Sequence, residues 1–276
     1  MNSDHPRPRK TRLDELLVQR DLAPDLDKAL RIIMSGSVRS GDQVLDKPGI
    51  KVMDDIPLQV IDRTCPYVSW GGMKLAGALD QFSLPVAQCR CLDIGASTGG
   101  FTHVLLLRGA SSVVALDVAY GFIDQRLRND PRVTVMERTN FRLLPEQTFS
   151  QPFEIITIDV SFISLKQIIT KALSMLTPTG NILALIKPQF EATRDEVERG
   201  GLVTNPVVHR AVIHRLQEVF LPMGLYLQGL HDIRRASPRK NREFLSWWTR
   251  TPSGLTGDEI LTVVQSDRSQ LPQQSD

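Results

Sequence analysis

From about residue 88 onward, short apolar runs alternate with mixed stretches. "CRCLDIGA" is followed by "SSVVALDVA", "RVTVMER", "FEIITIDVSF" and "NILALIKPQF". Runs of this length, bounded by polar or glycine-containing segments, are the pattern of buried strands. Stretches around 101–108, 121–129 and 164–176 have helical character and lie between them. That alternation predicts a mostly parallel, doubly wound sheet. Asn205 and Pro206 read as N-cap and first residue of a further helix. Its apolar face is Val208, Ala211, Val212, Leu216, Val219 and Phe220. "LYLQGL" and "REFLSWW" add two strands, for seven in all.

The N-terminal part has a different rhythm. Leu13, Leu16 and Leu17 share a helical face, with Thr11 as its expected N-cap and Asp14 three residues on. Asp25 is the expected cap of a second helix with inner face Leu26, Ala29, Leu30 and Ile33, stopped by Gly36. "VRSGDQVLDKPGIKVMDDIPLQVID" reads as short strands broken at Ser40-Gly41 and Pro48-Gly49. The expected layout is a small α+β domain over 10–64, a linker over 65–87, an α/β domain over 88–251 and a polar tail over 252–276.

Composition changes this picture little. The chain has 276 residues, of which 41% are hydrophobic and 23% charged, and a net charge of +2. That balance does not by itself mark a nucleic-acid binder. Three cysteines fit a reducing compartment better than a disulfide framework. Cys89 and Cys91 lack a second ligand cluster and read as strand-packing residues, so no metal is expected. No stretch approaches the ~18–20 apolar residues of a membrane span, and no apolar run follows the basic N-terminus. The expectation is a cytoplasmic protein with neither a membrane nor a DNA partner.

The glycine turn "LDIGASTGGF" brings in chemistry. In open α/β sheets, ligands sit beyond the carboxyl ends of strands at the switch point. No lysine follows Gly100, so the turn is not a triphosphate cradle. Ser97 stands where a dinucleotide fingerprint needs its second glycine. What remains is Asp93 at a strand end, then Gly95, Ser97, Thr98, Gly99 and Gly100. Asp117 ends the next strand and is well placed for ribose hydroxyls. A ribose clamp with a phosphate-free turn suits S-adenosylmethionine. A turn used only for helix–strand packing is the plainer alternative. Asp159 and Lys187 end the next two central strands and should emerge on the same ligand face. Strand-end charges are commonly solvated or paired, but two at the ends of apolar strands are costly to bury unless paired.

The stretches "RLDELLV", "PYVSWGGMKLAGALD", "LDIGASTGGFTHVLLLRGA", "IDVSFISL", "IKPQFEA" and "NREFL" resemble the TlyA (hemolysin A) family of FtsJ-like RNA 2′-O-methyltransferases. The resemblance implies a Rossmann-like methyltransferase sheet, S-adenosylmethionine as cofactor, and ribosomal RNA or ribosomal subunits as partner, with cytidine ribose as target. It further implies an S-four-type RNA-binding domain at the N-terminus and a catalytic tetrad on Lys74, Asp159, Lys187 and Glu243. Asp159 is also expected at the cofactor. In this reading Lys187 contacts the 2′-oxygen while Asp159 and Glu243 hold it; whether Lys187 also acts as general base stays open. Arg12, Arg31, Trp70, Arg239 and Lys240 are the expected RNA contacts.

The chain departs from the family pattern in places. Trp70 stands where arginine is usual, Asp25-Leu26 replaces a Ser-Arg pair, and "RRASPRKNREF" lacks the usual Gly-Pro. Residues 1–60 carry ten basic and ten acidic side chains, so phosphate attraction by the small domain is weak. The stretch 231–250 is richer, with six basic residues against Asp232 and Glu243. A membrane-lytic activity, a non-catalytic cofactor-sensing RNA binder and a methyltransferase for another substrate are the competing readings. The tetrad argues against the second.

Overall fold

The computed structural model describes residues 9–41, 43–60, 65–233 and 241–265. The N-terminal elements are β1 (Lys10–Arg12), α1 (Leu13–Gln19), α2 (Leu26–Met34), β2 (Val38–Ser40), β3 (Gln43–Val44), β4 (Lys51–Met53) and β5 (Gln59–Val60). β1 pairs antiparallel with β4, and β3-β2-β5 form a second small sheet. Leu13, Leu16, Leu17, Ala29, Ile33 and Val38 make a core of their own. Thr11 lies in β1 rather than capping α1. Arg12 takes the N-cap position without a side-chain capping bond, and Asp14 and Glu15 supply negative charge to the first turn. Asp25 caps α2 as expected, accepting from the Lys28 N–H at 2.7 Å. Leu26, the first residue after that cap, is exposed, and Ala29 and Ile33 carry the buried face.

The remainder is built on seven strands: β6 (Arg90–Ile94), β7 (Ser112–Leu116), β8 (Val133–Met136), β9 (Phe153–Ile158), β10 (Leu176–Ile186), β11 (Tyr226–Ile233) and β12 (Glu243–Thr249). Their order is β11-β12-β10-β9-β6-β7-β8. All neighbours from β10 to β8 are parallel, while β12 runs antiparallel to both β10 and β11. The helices are α3 (Gly71–Phe82), α4 (Gly100–Leu107), α5 (Gln125–Arg128), α6 (Leu165–Ala172), α7 (Pro188–Glu191), α8 (Pro206–Phe220) and α9 (Gly257–Gln265).

Successive strand residues alternate between two cores. Ile156, Ile182, Phe244 and Trp248 join Val212 of α8 and Ile260 of α9 on one face. Ile155, Leu183 and Leu245 join Leu75 of α3 and Val104 of α4 on the other. Strands covered on both faces need no polar alternation, which is why Ile155–Ile156 of β9 and Ile182–Ile186 of β10 read as apolar runs.

Three expectations change. The segment taken as linker contains a twelve-residue helix, α3. The expected helix over 121–129 contracts to the four residues of α5. Part of the expected polar tail, Gly257–Gln265 with the run "EILTVV", folds into α9, with Ile260 and Val264 buried. On α8 the deepest residues include His209 and Ile213, which the expected face left out.

Candidate active site

The sheet reverses its order of winding between β6 and β9, and the glycine turn follows β6 there. Gly95 has φ +86° and Gly99 φ +92°, in the region only glycine enters freely. A Cβ on Gly95 would collide with the Asp159 carbonyl, so this glycine lets two strand ends meet. A Cβ on Gly100 would sit 2.8 Å from the Gly72 nitrogen. The bare backbone there brings the N-terminus of α3 against that of α4. Ser97, Thr98 and Gly100 line a cavity of about 1030 Å³, together with Trp70, Lys74 and Asp159. Gly99 instead packs toward Leu127 of α5. Asp117 accepts from the Ser97 N–H at 2.7 Å and the Ala119 N–H at 2.8 Å. Each oxygen keeps a further lone pair for a hydroxyl donor.

Asp93 does not do what was expected of it. It is 0% exposed. One oxygen accepts from the Thr102 N–H (3.0 Å) and hydroxyl (2.7 Å), the other from the Thr157 hydroxyl (2.8 Å). Burial pushes its carboxyl up to about 6, and these bonds offset only part of that. Asp93 ties α4 to β6 and β9 and is not a wall of the cavity.

Lys74, Asp159, Lys187 and Glu243 come together from four elements. Lys187 Nζ lies 2.6 Å from Asp159 Oδ1 and donates to the Val160 carbonyl and the Ser161 hydroxyl, both at 2.9 Å. Lys74, on the first turn of α3, places Nζ 2.8 Å from Glu243 Oε2 and 3.8 Å from Asp159 Oδ2. The pairing differs from expectation in one respect: Glu243 pairs with Lys74, and among the described residues Asp159 is the carboxylate paired with Lys187. Register explains it. β12 lies beside β10 with Phe244 opposite Ile186, and Glu243 then turns to the face covered by α3. All four side chains are largely buried, at 7–22% exposure. Charges this enclosed persist through mutual pairing.

Close in sequence to Asp159 and Lys187 stand two residues that the sequence reading passed over. Phe162, three residues beyond Asp159, is 87% exposed and has φ +64°, an outlier for a bulky residue. Its ring lies 5.0 Å from that of Phe190, three residues beyond Lys187. An exposed aromatic in a strained loop was the signal, and it needs coordinates to be seen. Trp70 precedes α3 and lines the cavity, close to Gly36 of the small domain. Arg12 is paired with Asp14 at 2.6 Å and Arg31 with Asp27 at 2.8 Å, so the charge of each is answered within its own segment. Arg239 and Lys240 lie outside the described residues.

A glycine turn at the switch point, an acid after the second strand and this charge cluster accompany a match to the model for FtsJ-like methyltransferases over residues 67–250. The chain belongs to the FtsJ-like methyltransferase family. Within it, the chain is 39% identical over 270 residues to the 16S/23S rRNA (cytidine-2′-O)-methyltransferase TlyA of Mycobacterium tuberculosis, covering 96% of this chain and 99% of that one. It is 36% identical over 214 residues to hemolysin A of Brachyspira hyodysenteriae, covering 77% and 89%. A solved structure from Streptococcus thermophilus, described as a hemolysin, superposes with a TM-score of 0.71 at 36% identity, covering 92% and 94%. Among the described residues no helix is long and apolar enough to cross a membrane.

Proposed function

We propose that this methyltransferase transfers a methyl group from S-adenosylmethionine to a ribose 2′-hydroxyl of ribosomal RNA, with cytidine as the target nucleotide. The observation that carries the reading is the Lys187–Asp159 and Lys74–Glu243 double pair at the edge of the cavity. The residues suit this cofactor. The turn over 95–100 has no basic side chain for a pyrophosphate, and Asp117 offers acceptors for ribose hydroxyls. When bound, S-adenosylmethionine supplies an electrophilic methyl on a sulfonium; the ribose oxygen takes the methyl, its proton is given up to solvent, and the neutral thioether leaves.

The chain's part is to make a poor nucleophile adequate. A ribose hydroxyl develops negative charge as it attacks, and a fixed cation beside it stabilises that charge. Lys187 has two uncharged acceptors, Val160 O and Ser161 Oγ, besides Asp159. An incoming 2′-oxygen can replace either without disturbing the ion pair. Lys74 and Glu243 brace Asp159 from the other side, and the enclosure keeps water from screening the field. Phe162 presents an open ring on which an unstacked base can lie. Residues 10–64 serve in this reading as an RNA-binding domain that leans on shape more than on charge.

The test is transfer of labelled methyl groups to separated ribosomal subunits and total RNA, with wild type and Lys187→Ala in parallel. RNA labelled by wild type alone, with the label on a 2′-oxygen, is the expected result. Label in protein or on a base, or equal label with both proteins, overturns the reading.

A further inference from the structure

Glu243 is preceded by a buried arginine. Arg242 is 8% exposed. Its Nε and Nη2 donate to the two oxygens of Asp232, at 2.8 and 2.9 Å. Nη2 also donates to the Val263 carbonyl at 2.8 Å, and Nη1 to the Val264 carbonyl. Its guanidinium carbon lies 5.0 Å from the centre of the Phe244 ring. Asp232 belongs to β11, and Val263 and Val264 belong to the last turn of α9. One side chain therefore joins the start of β12, the end of β11 and the C-terminal end of α9.

The chemistry is specific to arginine. Carbonyls in the last turn of a helix carry partial negative charge and favour a cation. A planar fork can take a carboxylate with one edge and carbonyls with the other, which a lysine cannot. Successive residues of an extended chain point to opposite faces. Glu243 turns to Lys74 on the α3 face while Arg242 is gripped from behind on the α9 face. Asp232, Thr262 and Val263 also line the cavity, so this fastening stands at the cleft itself.

We infer that Arg242 is a positioning residue for Glu243. It fixes the backbone at the start of β12, and through Glu243 it sets where Lys74 stands against Asp159. The C-terminal helix thereby becomes part of the active-site framework. This inference rests on the tetrad reading above.

The experiment is a double-mutant cycle in the full chain: wild type, Arg242→Met, Glu243→Gln and the double variant. Single-turnover methyl transfer, cofactor Kd and thermal melting are measured for each. Displacing a catalytic group by a fraction of its bond length to a partner costs up to about a hundredfold. Arg242→Met should therefore lower the transfer rate by about ten- to a hundredfold while cofactor Kd stays within about twofold. In the double variant the loss should equal that of Glu243→Gln alone, since both act through one group. Arg242→Lys should fall in between. If Arg242→Met does not fold, Arg242→Lys takes its place in the cycle. Losses that multiply, or a normal rate per folded molecule in the arginine variant, overturn the inference and leave the tetrad standing. Full activity in Glu243→Gln overturns both.

Discussion

Asp93 and Asp159 close neighbouring parallel strands at the same edge of the sheet, yet their surroundings separate them. Asp93 is sealed at 0% exposure behind three neutral donors. Asp159 stands 22% exposed between two lysines. The first fastens a helix to two strands. The second holds a cation beside a cavity. An acid at a strand end is thus a position and not a role, and the role follows from which donors the next element delivers. Thr102 arrives on α4 to close one site, and Lys74 arrives on α3 to keep the other charged.

Substitutions can break this contrast. The largest effect falls on the open site: Lys187→Ala should reduce methyl transfer by roughly 10²–10³-fold, the usual cost of losing one charge-stabilising donor. Melting temperature should fall as well, because Asp159 keeps only the more distant Lys74, and rate per folded molecule beside calorimetry separates the two effects. On the sealed side the effect of Asp93→Ala should fall on stability. Stranding three buried donors costs about 3 kcal/mol, visible in urea midpoints, with little change in transfer rate per folded molecule.

A pH series sharpens the contrast further. Asp93 ionises near 6 in the fold against an ordinary 3.8. Between those values the folded chain holds the proton and the unfolded chain does not. Its contribution to stability is therefore greatest at low pH and falls as pH rises through that window, by roughly 3 kcal/mol in all. Asp93→Asn removes this dependence, so wild type should lose ground to it between pH 4 and 6.5 in paired urea titrations. The smallest effect lies far from both acids. Asn205 caps α8 by accepting from Val207 N–H at 2.9 Å, and Asn205→Ala should cost about 1 kcal/mol with no change in activity.

Much of the sheet was legible because strands buried on both faces leave continuous apolar runs, and strand-end charges stand out against them. α3 was not, because Gly71, Gly72 and Gly77 weaken the helical signal. Two of those glycines are there for contact: a Cβ on Gly72 would strike the Tyr67 side chain at 2.6 Å, and one on Gly77 would sit 3.0 Å from His231. Such needs come from tertiary neighbours and leave no periodic trace. Asp159 and Lys187 stood out as strand-end charges, whereas Lys74 and Glu243 came from resemblance alone. Nothing in local spacing brings Lys74 to Glu243, since that pair depends on β12 entering the sheet beside β10. Asp93 misled for the same reason: its position was readable, and its donors were not.

That placement of β12 bears on when the protein can work. Among the described residues β12 is the last strand in sequence but lies between β10 and β11, two strands made before it. Lys74 and Glu243 are 169 residues apart in the sequence. At about 5–20 residues per second, one leaves the ribosome some ten to thirty seconds before the other. A nascent chain can hold the cofactor turn and both strand-end acids and still lack the partner of Lys74. The charge cluster is completed only when β12 has been made and inserted between its two earlier neighbours.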